Sequence, residues 1–398
     1  MVKWRDVQLD EIITIKHGYA FKGEYFVDNE TEDILVTPGN FKIGGGFKTD
    51  KYKYYNGPQY PSFILNKGDL LVMMTDLSKK GDTLGYAAKL PSIEGKRFHL
   101  NQRIGKINIK DKTICDVEFI HWVLRSRDYR NEILSTSTGS TVKHTSPKRI
   151  LNYRFKLPPI EDQKTIAKIL SDLDEKIELN RKMNQTLKTM AKAIYKKWFI
   201  DFDFPNKEGK PYKSVGGEFE NEIPKNWNFG TYADAIELHY GKALKADQRI
   251  FGGFPVLGSN GIVDFHNEYL VEGPGIVVGR KGTAGAINWI DENFFPIDTT
   301  FYIKPRIENH KLYYYYFLSN SLRLNKMSSD SAVPGLNRND AYSVEIVLPS
   351  GISIETYNEV VHPLFERMKD LRLENRKLNE IRDRLLPKLI AGKLKVNK

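Results

Sequence analysis

The most regular hydrophobic pattern in the chain lies between Ile160 and Ile200, a segment without Gly or Pro. Its apolar side chains recur at alternating steps of three and four residues, at Ile166, Ile169, Leu173, Met183, Leu187, Met190 and Ile194. This spacing predicts one long helix with a coiled-coil seam. A helix of these 41 residues would span about 60 Å at about 1.5 Å per residue, so the pattern indicates an extended rod.

A second segment repeats this register 195 residues later, with Arg382 as its one charged position. Its seam consists of Val361, Leu364, Met368, Leu371, Leu378, Leu385 and Leu389. Two matching seams predict that the helices pack against each other, antiparallel about a pseudo-two-fold axis. The predicted helix-pair seam contains Ile166, Leu173, Asn180, Leu187, Ile194, Leu364, Met368, Leu371, Asn375, Leu378 and Leu385.

An asparagine interrupts each seam at the same step, Asn180 in the first copy and Asn375 in the second. A buried seam asparagine lowers stability but fixes the register, because a slipped pairing leaves its amide unsatisfied. The alternative is that each asparagine simply faces water.

The rest of the chain carries the short, glycine-punctuated runs that are typical of β-strands. Strands are predicted within residues 68–74, 105–109, 274–280 and 299–305, and helices within 116–134 and 310–327. Each set of strands is followed by a helix, which predicts mixed α+β domains.

An internal repeat organises these elements. Trp4 to Gly18 aligns with Trp227 to Gly241 at a constant offset of 223, and LPPIEDQ at Leu157 aligns with LPSGISIE at Leu348. The predicted fold class is therefore α+β, with two mixed α/β domains separated by two long antiparallel coiled-coil helices in a pseudo-two-fold internal repeat. The predicted boundaries are 1–156 for the first domain, 157–204 for the first helical region, 205–226 for a linker, 227–347 for the second domain and 348–398 for the second helical region.

Charge indicates a class of partner. The chain has 61 Lys and Arg against 50 Asp and Glu, a formal net charge of +11 and a pI near 9.2. This balance favours a polyanion such as DNA, although a basic protein without such a partner remains an alternative. The single cysteine, Cys115, excludes an internal disulfide and suits a cytoplasmic protein, and no apolar stretch is long enough to predict a membrane span.

Motifs for catalysis are weak. GRKGTAG at 279–285 lacks the spacing of a phosphate-binding loop, and the only Pro-Pro opens a helix rather than a methyltransferase loop. Glu94-Gly95-Lys96 and Glu208-Gly209-Lys210 have the form of a nuclease motif, but neither follows an acidic residue on an evident strand. The eight histidines show no zinc-binding spacing. We therefore predict neither a catalytic nor a metal site.

Three motifs in this repeat order resemble the specificity subunits of type I restriction-modification systems: LPPIEDQKTIAKIL at 157–170, KKWFIDFDFP at 196–205 and LLPKLIAGKL at 385–394. The resemblance covers essentially the whole chain. It implies two target-recognition domains that read a bipartite, asymmetric site in double-stranded DNA, held at fixed spacing by the helices. It also implies docking of two methyltransferase subunits and of motor-nuclease subunits, with S-adenosylmethionine, ATP and Mg bound by those partners and not by this chain.

Candidate DNA-binding residues are basic or amide side chains in the parts of each domain that do not repeat. Lys and Arg contact phosphates, while Arg, Lys and Asn can also read base edges. The candidates are Lys79, Lys80, Arg97, Arg103, Lys143 and His144 in the first domain, and Arg249, Arg280, Lys281, Asn337 and Arg338 in the second. For each one, a solvated surface charge is the alternative. The candidates for partner docking on the helices are Lys176, Arg181, Arg372 and Arg376.

Two other functions fit parts of the sequence. One is a structural adaptor that assembles partners through its long helices, with an incidental charge. The other is a self-contained nuclease or methyltransferase with a disguised site. Salt-dependent DNA binding separates the first from DNA recognition, and assay of the isolated chain with metal and cofactor separates the second.

Overall fold

A computed structural model describes residues 4–206, 208–307, 311–327 and 335–394. The chain forms two compact units, one from residues 1–178 with 375–398 and the other from residues 179–374. Each unit combines one α+β domain with a part of each long helix, because the unit limits fall inside both helices. The boundaries drawn from the sequence, which separate domains from helices, stay predictions.

The first domain contains a five-stranded sheet in the order β3-β5-β4-β10-β6 and a four-stranded antiparallel sheet in the order β2-β11-β7-β9. Short antiparallel pairs, β1 with β13 and β8 with β12, complete it. The strands are β1 (Arg5–Gln8), β2 (Ile13–His17), β3 (Phe26–Val27), β4 (Asp33–Val36), β5 (Lys53–Tyr55), β6 (Ile64–Leu65), β7 (Leu70–Met73), β8 (Thr75–Asp76), β9 (Ala87–Lys89), β10 (Arg97–Leu100), β11 (Ile104–Ile109), β12 (Lys143–His144) and β13 (Arg154–Leu157). The helices are α1 (Leu9–Ile12), α2 (Val117–Val123), α3 (Arg127–Ser135) and α4 (Pro147–Leu151), followed by the long helix α5 (Ile160–Tyr195).

The second domain has a similar four-stranded sheet, in the order β17-β23-β20-β21, and a smaller three-stranded sheet, β19-β18-β22. The pairs β16 with β24 and β14 with β15 are antiparallel. The strands are β14 (Phe219–Glu220), β15 (Ile223–Pro224), β16 (Asn228–Thr231), β17 (Ile236–Tyr240), β18 (Phe254–Gly258), β19 (Gly261–His266), β20 (Gly275–Gly279), β21 (Ile287–Ile290), β22 (Phe295–Pro296), β23 (Thr300–Pro305) and β24 (Glu345–Leu348). The helices are α6 (Tyr232–Ala235), α7 (Tyr313–Ser321) and α8 (Arg338–Tyr342), followed by the long helix α9 (Gly351–Ile390).

The repeat seen in the sequence reappears in the coordinates. Elements β16, α6 and β17 begin and end 223 residues after β1, α1 and β2, the offset of the aligned segments. The repeated glycines have one physical reason: a Cβ would lie 2.0 Å from the carbonyl oxygen of Asn101 at Gly18 and 2.2 Å from that of Ile297 at Gly241. Only glycine allows the neighbouring backbone to approach so closely.

The helices observed within the two domains differ in their bounds from the predicted ones. Residues 116–134 form two helices, α2 and α3, because Ser126 caps the second by accepting a hydrogen bond from the Tyr129 amide at 3.4 Å. The helix in 310–327 is α7, which begins at Tyr313 after Leu312, and residue 310 itself lies outside the described residues. Helix α5 continues as a π-helical turn, Lys196–Ile200, as far as the predicted end.

In each unit, segments of α5 and α9 pack against each other and against the domain. In the first unit, Ile166 and Leu170 of α5 share a hydrophobic core with Leu386, Leu389 and Ile390 near the end of α9. In the second unit the start of α9 packs with the end of α5, and the Tyr357 hydroxyl donates a hydrogen bond to the Ala191 carbonyl at 3.1 Å. The beginning of one helix thus meets the end of the other, which is the predicted antiparallel arrangement.

At every second position of the α5 seam, the more buried residue is the one that follows the predicted residue in the sequence. Leu170, Ile177 and Ala191 are buried, whereas Met183 and Met190 are 37% and 48% exposed. The predicted positions Ile166, Leu173, Leu187 and Ile194 are buried or half-buried, as are Leu364, Met368, Leu371, Leu378 and Leu385 on α9. The expectation for Met183 and Met190 was therefore wrong, because the seam steps by four and then three residues from Ile166 rather than by three and then four.

Both seam asparagines have hydrogen-bond partners within their own units. Asn180 is fully buried and its amide nitrogen donates to Glu374 at 2.9 Å. Asn375 is half-buried and donates to the Ile177 carbonyl at 3.3 Å. Burial excludes the water-facing alternative for Asn180 and agrees with a register-fixing role.

Ion pairs tie each domain to the helices. In the first unit Asp174 of α5 lies between Arg125 of the domain, at 2.5 Å, and Arg382 of α9, at 2.6 Å. Arg382, the charged position in the predicted seam, is thereby neutralised. In the second unit Arg372 of α9 donates two hydrogen bonds to Asp291 of the domain, at 2.7 and 2.8 Å. Arg372 thus has an ion-pair partner inside its unit, and its nomination as a docking residue stays a prediction.

Candidate nucleic-acid interface

The first domain gathers most of its nominated residues at one corner, where β8 pairs with β12. Lys143 and His144 lie opposite Asp76 and Thr75, and His144 Nδ1 is 3.1 Å from the Thr75 hydroxyl. The exposed side chains of Lys79 and Lys80 follow in the turn after β8, and Arg103, also exposed, accepts a backbone hydrogen bond from Met74. We call these residues, Thr75, Asp76, Lys79, Lys80, Arg103, Lys143 and His144, the first corner.

The turn of the first corner is organised by Asp76, which is 4% exposed. Its carboxylate accepts hydrogen bonds from the Ser78 amide at 2.7 Å, from the Thr83 hydroxyl at 2.7 Å and from the Thr83 amide. Burial alone would raise the pKa of Asp76, but these hydrogen bonds outweigh it and hold the pKa below its usual value. Asp76 therefore stays ionised at neutral pH and fixes the backbone that carries Lys79 and Lys80.

Arg97 lies outside the first corner, on β10 of the other sheet. Its guanidinium donates to Asp33 at 2.6 and 3.1 Å, and His99 Nε2 lies 2.6 Å from the same carboxylate. Burial tends to raise the pKa of Asp33, while the hydrogen bonds from Arg97 and His99 lower it below its usual value. Asp33 therefore balances the charge of Arg97 inside the domain, and the nomination of Arg97 as a DNA-binding residue stays a prediction.

The second domain has an equivalent corner with different side chains. The backbone amide of Arg280 donates a hydrogen bond to the Thr299 carbonyl at 2.8 Å, and the Arg280 carbonyl accepts one from the Leu336 amide at 2.8 Å. Lys281 and Gly335 form an isolated antiparallel β-bridge. The same two backbone hydrogen bonds occur in the first domain, at 3.0 Å from Met74 to Arg103 and at 2.9 Å from Thr145 to Met74. Residues 280–281 and 335–338 therefore correspond to residues 74–75 and 144–147.

A cavity of about 400 Å³ opens at this second corner. Four of the five residues nominated in the second domain line it, although they come from two segments far apart in sequence. Its lining consists of Tyr240, Arg280, Lys281, Phe301, Gly335, Leu336, Asn337, Arg338 and Asn339. We call this cavity the arginine cavity. Its described lining includes three cationic side chains and no carboxylate, so it suits an anion.

The remaining nominee of the second domain is placed elsewhere. Arg249 is 15% exposed, pairs with Asp264 at 3.3 Å and donates to the Leu244 carbonyl at 3.4 Å. It does not line the arginine cavity. Asn337 lines the cavity, but its side-chain oxygen also caps α8 by accepting from the Asn339 amide at 2.8 Å.

Tyr240 and Phe301 were not anticipated as site residues. They pair across β17 and β23, and their rings lie 5.0 Å apart at the wall of the cavity. The one available sequence signal was position: Tyr240 precedes the repeated Gly241, as His17 precedes Gly18. Most positions of the two aligned segments differ in identity, so this signal was weak.

The described residues contain no group of three or more His, Cys, Asp or Glu side chains placed to hold a metal ion. In the two nuclease-like motifs the lysines have nearby partners: Lys96 pairs with Glu30 at 2.7 Å, and Lys210 pairs with Glu208 at 3.0 Å. Cys115 is buried, which raises the pKa of its thiol to about 12. Among the described helices, none is long and apolar enough to cross a membrane.

Comparison with known proteins decides the family. Residues 1–189 and 224–382 match the family described as type I restriction modification DNA specificity domain, so the match covers most of the chain. The chain belongs to this family. Membership confirms the resemblance drawn from the three motifs and the predicted role as a DNA-specificity subunit of a type I restriction-modification system.

Individual relatives carry the same description. The specificity subunit of the type I restriction enzyme MjaIX from Methanocaldococcus jannaschii is 26% identical over 337 residues, which cover 79% of this chain and 76% of that protein. The MjaVIII specificity subunit of the same organism is 23% identical and covers 99% and 93%. The crystal structure of the type I S subunit from M. genitalium, 19% identical, aligns over 99% of this specificity subunit and 97% of that chain with a TM-score of 0.57, which shows a shared fold.

Proposed function

We propose that each domain of this specificity subunit reads one half of a bipartite, asymmetric DNA site through its corner. The observation that carries this proposal is the arginine cavity, in which residues nominated separately from the sequence meet with no carboxylate in the described lining. The first corner supports it with the exposed cations Lys79, Lys80 and Arg103. Because the two corners share backbone hydrogen bonds and differ in side chains, each domain can read a different sequence on the same support.

The chain supplies recognition in this proposal, and its partners supply chemistry. Methyltransferase subunits would bind S-adenosylmethionine, and motor-nuclease subunits would bind ATP and Mg, in the cytoplasm. Two observations support a non-catalytic role: the lysines of both nuclease-like motifs are paired, and the thiol of Cys115 is buried with a raised pKa. Incubation of the purified chain with S-adenosylmethionine and DNA should transfer no methyl group, and addition of the methyltransferase subunits should restore transfer.

DNA binding by the full-length chain, with and without the methyltransferase subunits, tests the central proposal. Mapping of methylated bases in the source genome gives both half-sites and therefore the cognate duplex. We expect the logarithm of the binding constant to fall linearly with the logarithm of salt concentration, and cognate DNA to bind more tightly than a scrambled duplex. Binding that is independent of salt and of sequence would favour the adaptor function instead.

We also propose that the lengths of α5 and α9 set the spacing of the half-sites. Seven residues added to each helix, between residues 178 and 179 and between 374 and 375, preserve the heptad phase and lengthen the helices by about 10.5 Å. At about 3.4 Å per base pair, the preferred spacer should grow by about three base pairs while both half-sites stay the same.

The linker offers a matched control for this experiment. Seven residues inserted into 205–226 lengthen the chain equally but leave both helices intact, so the preferred spacer should not change. The methylome of cells that express each variant reports the spacer directly. An unchanged spacer in the helix variant would refute the role of the helices in spacing.

A further inference from the structure

The arginine cavity holds two guanidinium groups against one aromatic ring. The guanidinium carbons of Arg280 and Arg338 lie 5.0 and 5.1 Å from the centroid of the Tyr240 ring. Phe301 lies 5.9 Å from Arg280, and Tyr342 lies 5.8 Å from Arg338. Because contact with aromatic rings restrains a guanidinium, less conformational freedom is lost when its planar fork donates hydrogen bonds. Both arginines are therefore arranged as donors before any ligand binds.

The charges in the cavity lack a counter-charge in the described lining. Arg280 donates from Nη1 to the Asp298 carbonyl at 3.1 Å, which satisfies one donor but neutralises nothing. Nε of Arg338 is buried and has no hydrogen-bond partner among the described residues. Lys281 adds a third cation at the rim. Two guanidinium groups that line one concavity without a carboxylate in its described lining favour an anionic ligand.

The recessed position of these cations distinguishes between the anionic and polar groups that DNA offers. Base edges lie at the floor of the grooves and are read by side chains that protrude from the protein. The guanidiniums of Arg280 and Arg338 instead line a concavity of about 400 Å³. A concavity receives a group that protrudes from the DNA, and the group that protrudes along the whole duplex is the backbone phosphate. Two arginine forks match its oxygens.

The first domain lacks arginine and tyrosine at the positions equivalent to Arg280, Arg338 and Tyr240. Met74 occupies the position of Arg280 and is 2% exposed, Pro147 occupies that of Arg338, and His17 occupies that of Tyr240. None of the three supplies a guanidinium or a phenol ring. The cavity is therefore a feature of the second domain and not of the repeated framework.

We propose that the arginine cavity binds one DNA backbone phosphate between Arg280 and Arg338, with Tyr240 as a positioning residue. This inference rests on the proposed function, since it assigns a role within the DNA interface. The bound phosphate fixes the orientation of the second domain on the duplex. The phosphate carries no sequence information, so base reading within the second corner falls to side chains other than Arg280, Arg338 and Tyr240.

Salt titration of full-length Arg280→Gln and Arg338→Gln variants, assembled with the methyltransferase subunits, tests the assignment. Each variant removes a phosphate contact, so the slope of log binding constant against log salt should shrink by about one, shared between the two arginines if they hold the same phosphate. Cognate duplexes and duplexes with single base-pair changes in the second half-site should weaken by the same factor, roughly tenfold or more. A variant that loses discrimination at one base pair would overturn the proposal and identify a base-reading arginine.

Methylphosphonate substitution in the DNA locates the contact. Replacing one phosphate at a time with this neutral group should reveal a position that weakens binding of the natural chain but does not weaken the Arg280→Gln/Arg338→Gln double variant further. Coupling at one position identifies the bound phosphate. If no position couples to the double variant while the natural chain still binds in a salt- and sequence-dependent way, the phosphate assignment is wrong and the proposed function stands. If the natural chain itself shows no such binding, the proposed function fails as well.

Three variants separate the site from general effects of charge and folding. Arg306→Gln removes the same charge from the second domain outside the cavity, where Arg306 pairs with Glu237, and should leave the methylphosphonate pattern unchanged. Tyr240→Phe keeps the ring and should bind like the natural chain. Tyr240→Ala should weaken binding and abolish the coupling, because both guanidiniums lose their support. Normal coupling in Tyr240→Ala would contradict the positioning role.

Discussion

In the first domain Asp76 ends β8 and accepts the hydrogen bonds of the turn that follows, whereas the second domain has Gly282 at the equivalent position, with a φ of 80°. One turn is held by hydrogen bonds to a buried carboxylate, and the other by a residue that adopts the left-handed region without strain. The neighbouring positions differ in the same way, with Met74 opposite Arg280. The comparison shows that the two domains keep the same backbone hydrogen bonds at this corner although the side chains there differ.

The junctions between domain and helices differ as well. The first domain contributes a cation, Arg125, to the carboxylate of Asp174, whereas the second contributes a carboxylate, Asp291, to the cation of Arg372. The arginine of the first pair is the more buried, since the Arg125 side chain is 5% exposed and that of Arg372 is 39% exposed, while the Asp174 and Asp291 side chains are 30% and 22% exposed. Burial of charge makes the first unit depend more strongly on polar contacts, and the predictions below test that asymmetry.

Acid should have the largest effect, because it acts on several polar groups of the first unit at once. The pKa of His121 is well below 6.5, chiefly through burial and next through Arg125, so this histidine must be charged on unfolding but not when folded. Asp33, Asp76 and Asp174 have pKa values below 3.8 when folded, because hydrogen bonds and nearby cations outweigh burial. Stability should therefore decline below about pH 6.5 and fall steeply below about pH 4.

Calorimetry from about pH 7 to about pH 3 checks this acid response, and the first unit should lose stability faster than the second. His121→Gln retains an acceptor for Arg125 but cannot be protonated, so it should flatten the decline between about pH 6.5 and about pH 4. Parallel loss of stability in both units would contradict the asymmetry.

Removal of the carboxylate of Asp174 should have the next largest effect. The Asp174→Ala variant leaves Arg125 and Arg382 without their counter-charge, and breaking such a buried pair from one side lowers the free energy of unfolding by about 3–5 kcal/mol. Denaturant unfolding measures the change. The control is Asp172→Ala, two residues earlier, which removes only an exposed pair with Lys168 and should change stability by about 0.5 kcal/mol. Equal effects of the two variants would show that burial of the pair is unimportant.

These contacts also explain how much of the structure could be predicted. Local hydrophobic periodicity was enough to predict the two long helices and the strands β7, β11, β20 and β23. Comparison of the chain with itself was enough to predict the repeat. The phase of the α5 seam does not, because Ile169 and Leu170 are equally apolar and the partner helix decides which one is buried. A three-to-four alternation fits either choice over a few turns.

The cationic residues of the arginine cavity were nominated from the sequence, but its aromatic wall and its geometry were not. Arg280 and Arg338 were nominated from turn sequences, yet nothing local showed that they share the ring of Tyr240. Arg97 was nominated on the same grounds and belongs to an ion pair with Asp33, which is 64 residues away in the chain. A single sequence does not show which nominated arginine has such a long-range partner, and the role of each in DNA binding stays a prediction.

Substitution of Asp76 by Ala should have an intermediate effect confined to the first corner. The turn loses a charged acceptor of three hydrogen bonds, and we expect about 1.5–3 kcal/mol of destabilisation. DNA binding should weaken too, because Lys79 and Lys80 lose their fixed backbone. Gly282→Ala is the matched change in the second domain; it introduces strain at positive φ and should cost about 1 kcal/mol. Anisotropy with duplexes altered in one half-site at a time assigns each defect to its domain.

Removal of the Asp291 carboxylate should change stability less than acid, Asp174→Ala or Asp76→Ala. Its pair with Arg372 is bidentate, which favours a measurable contribution, but Arg372 is 39% exposed, so water can hydrate this cation when the carboxylate is removed. We expect Asp291→Ala to lower the free energy of unfolding by about 1 kcal/mol, clearly less than Asp174→Ala. A double-mutant cycle with Arg372→Ala isolates the pair, since Arg372 also lies 3.5 Å from the Asn184 side-chain oxygen and loses that contact as well. A coupling energy as large as that of Asp174 would mean that the second junction excludes water under native conditions, and the proposed difference between the two halves would then rest on their corners alone.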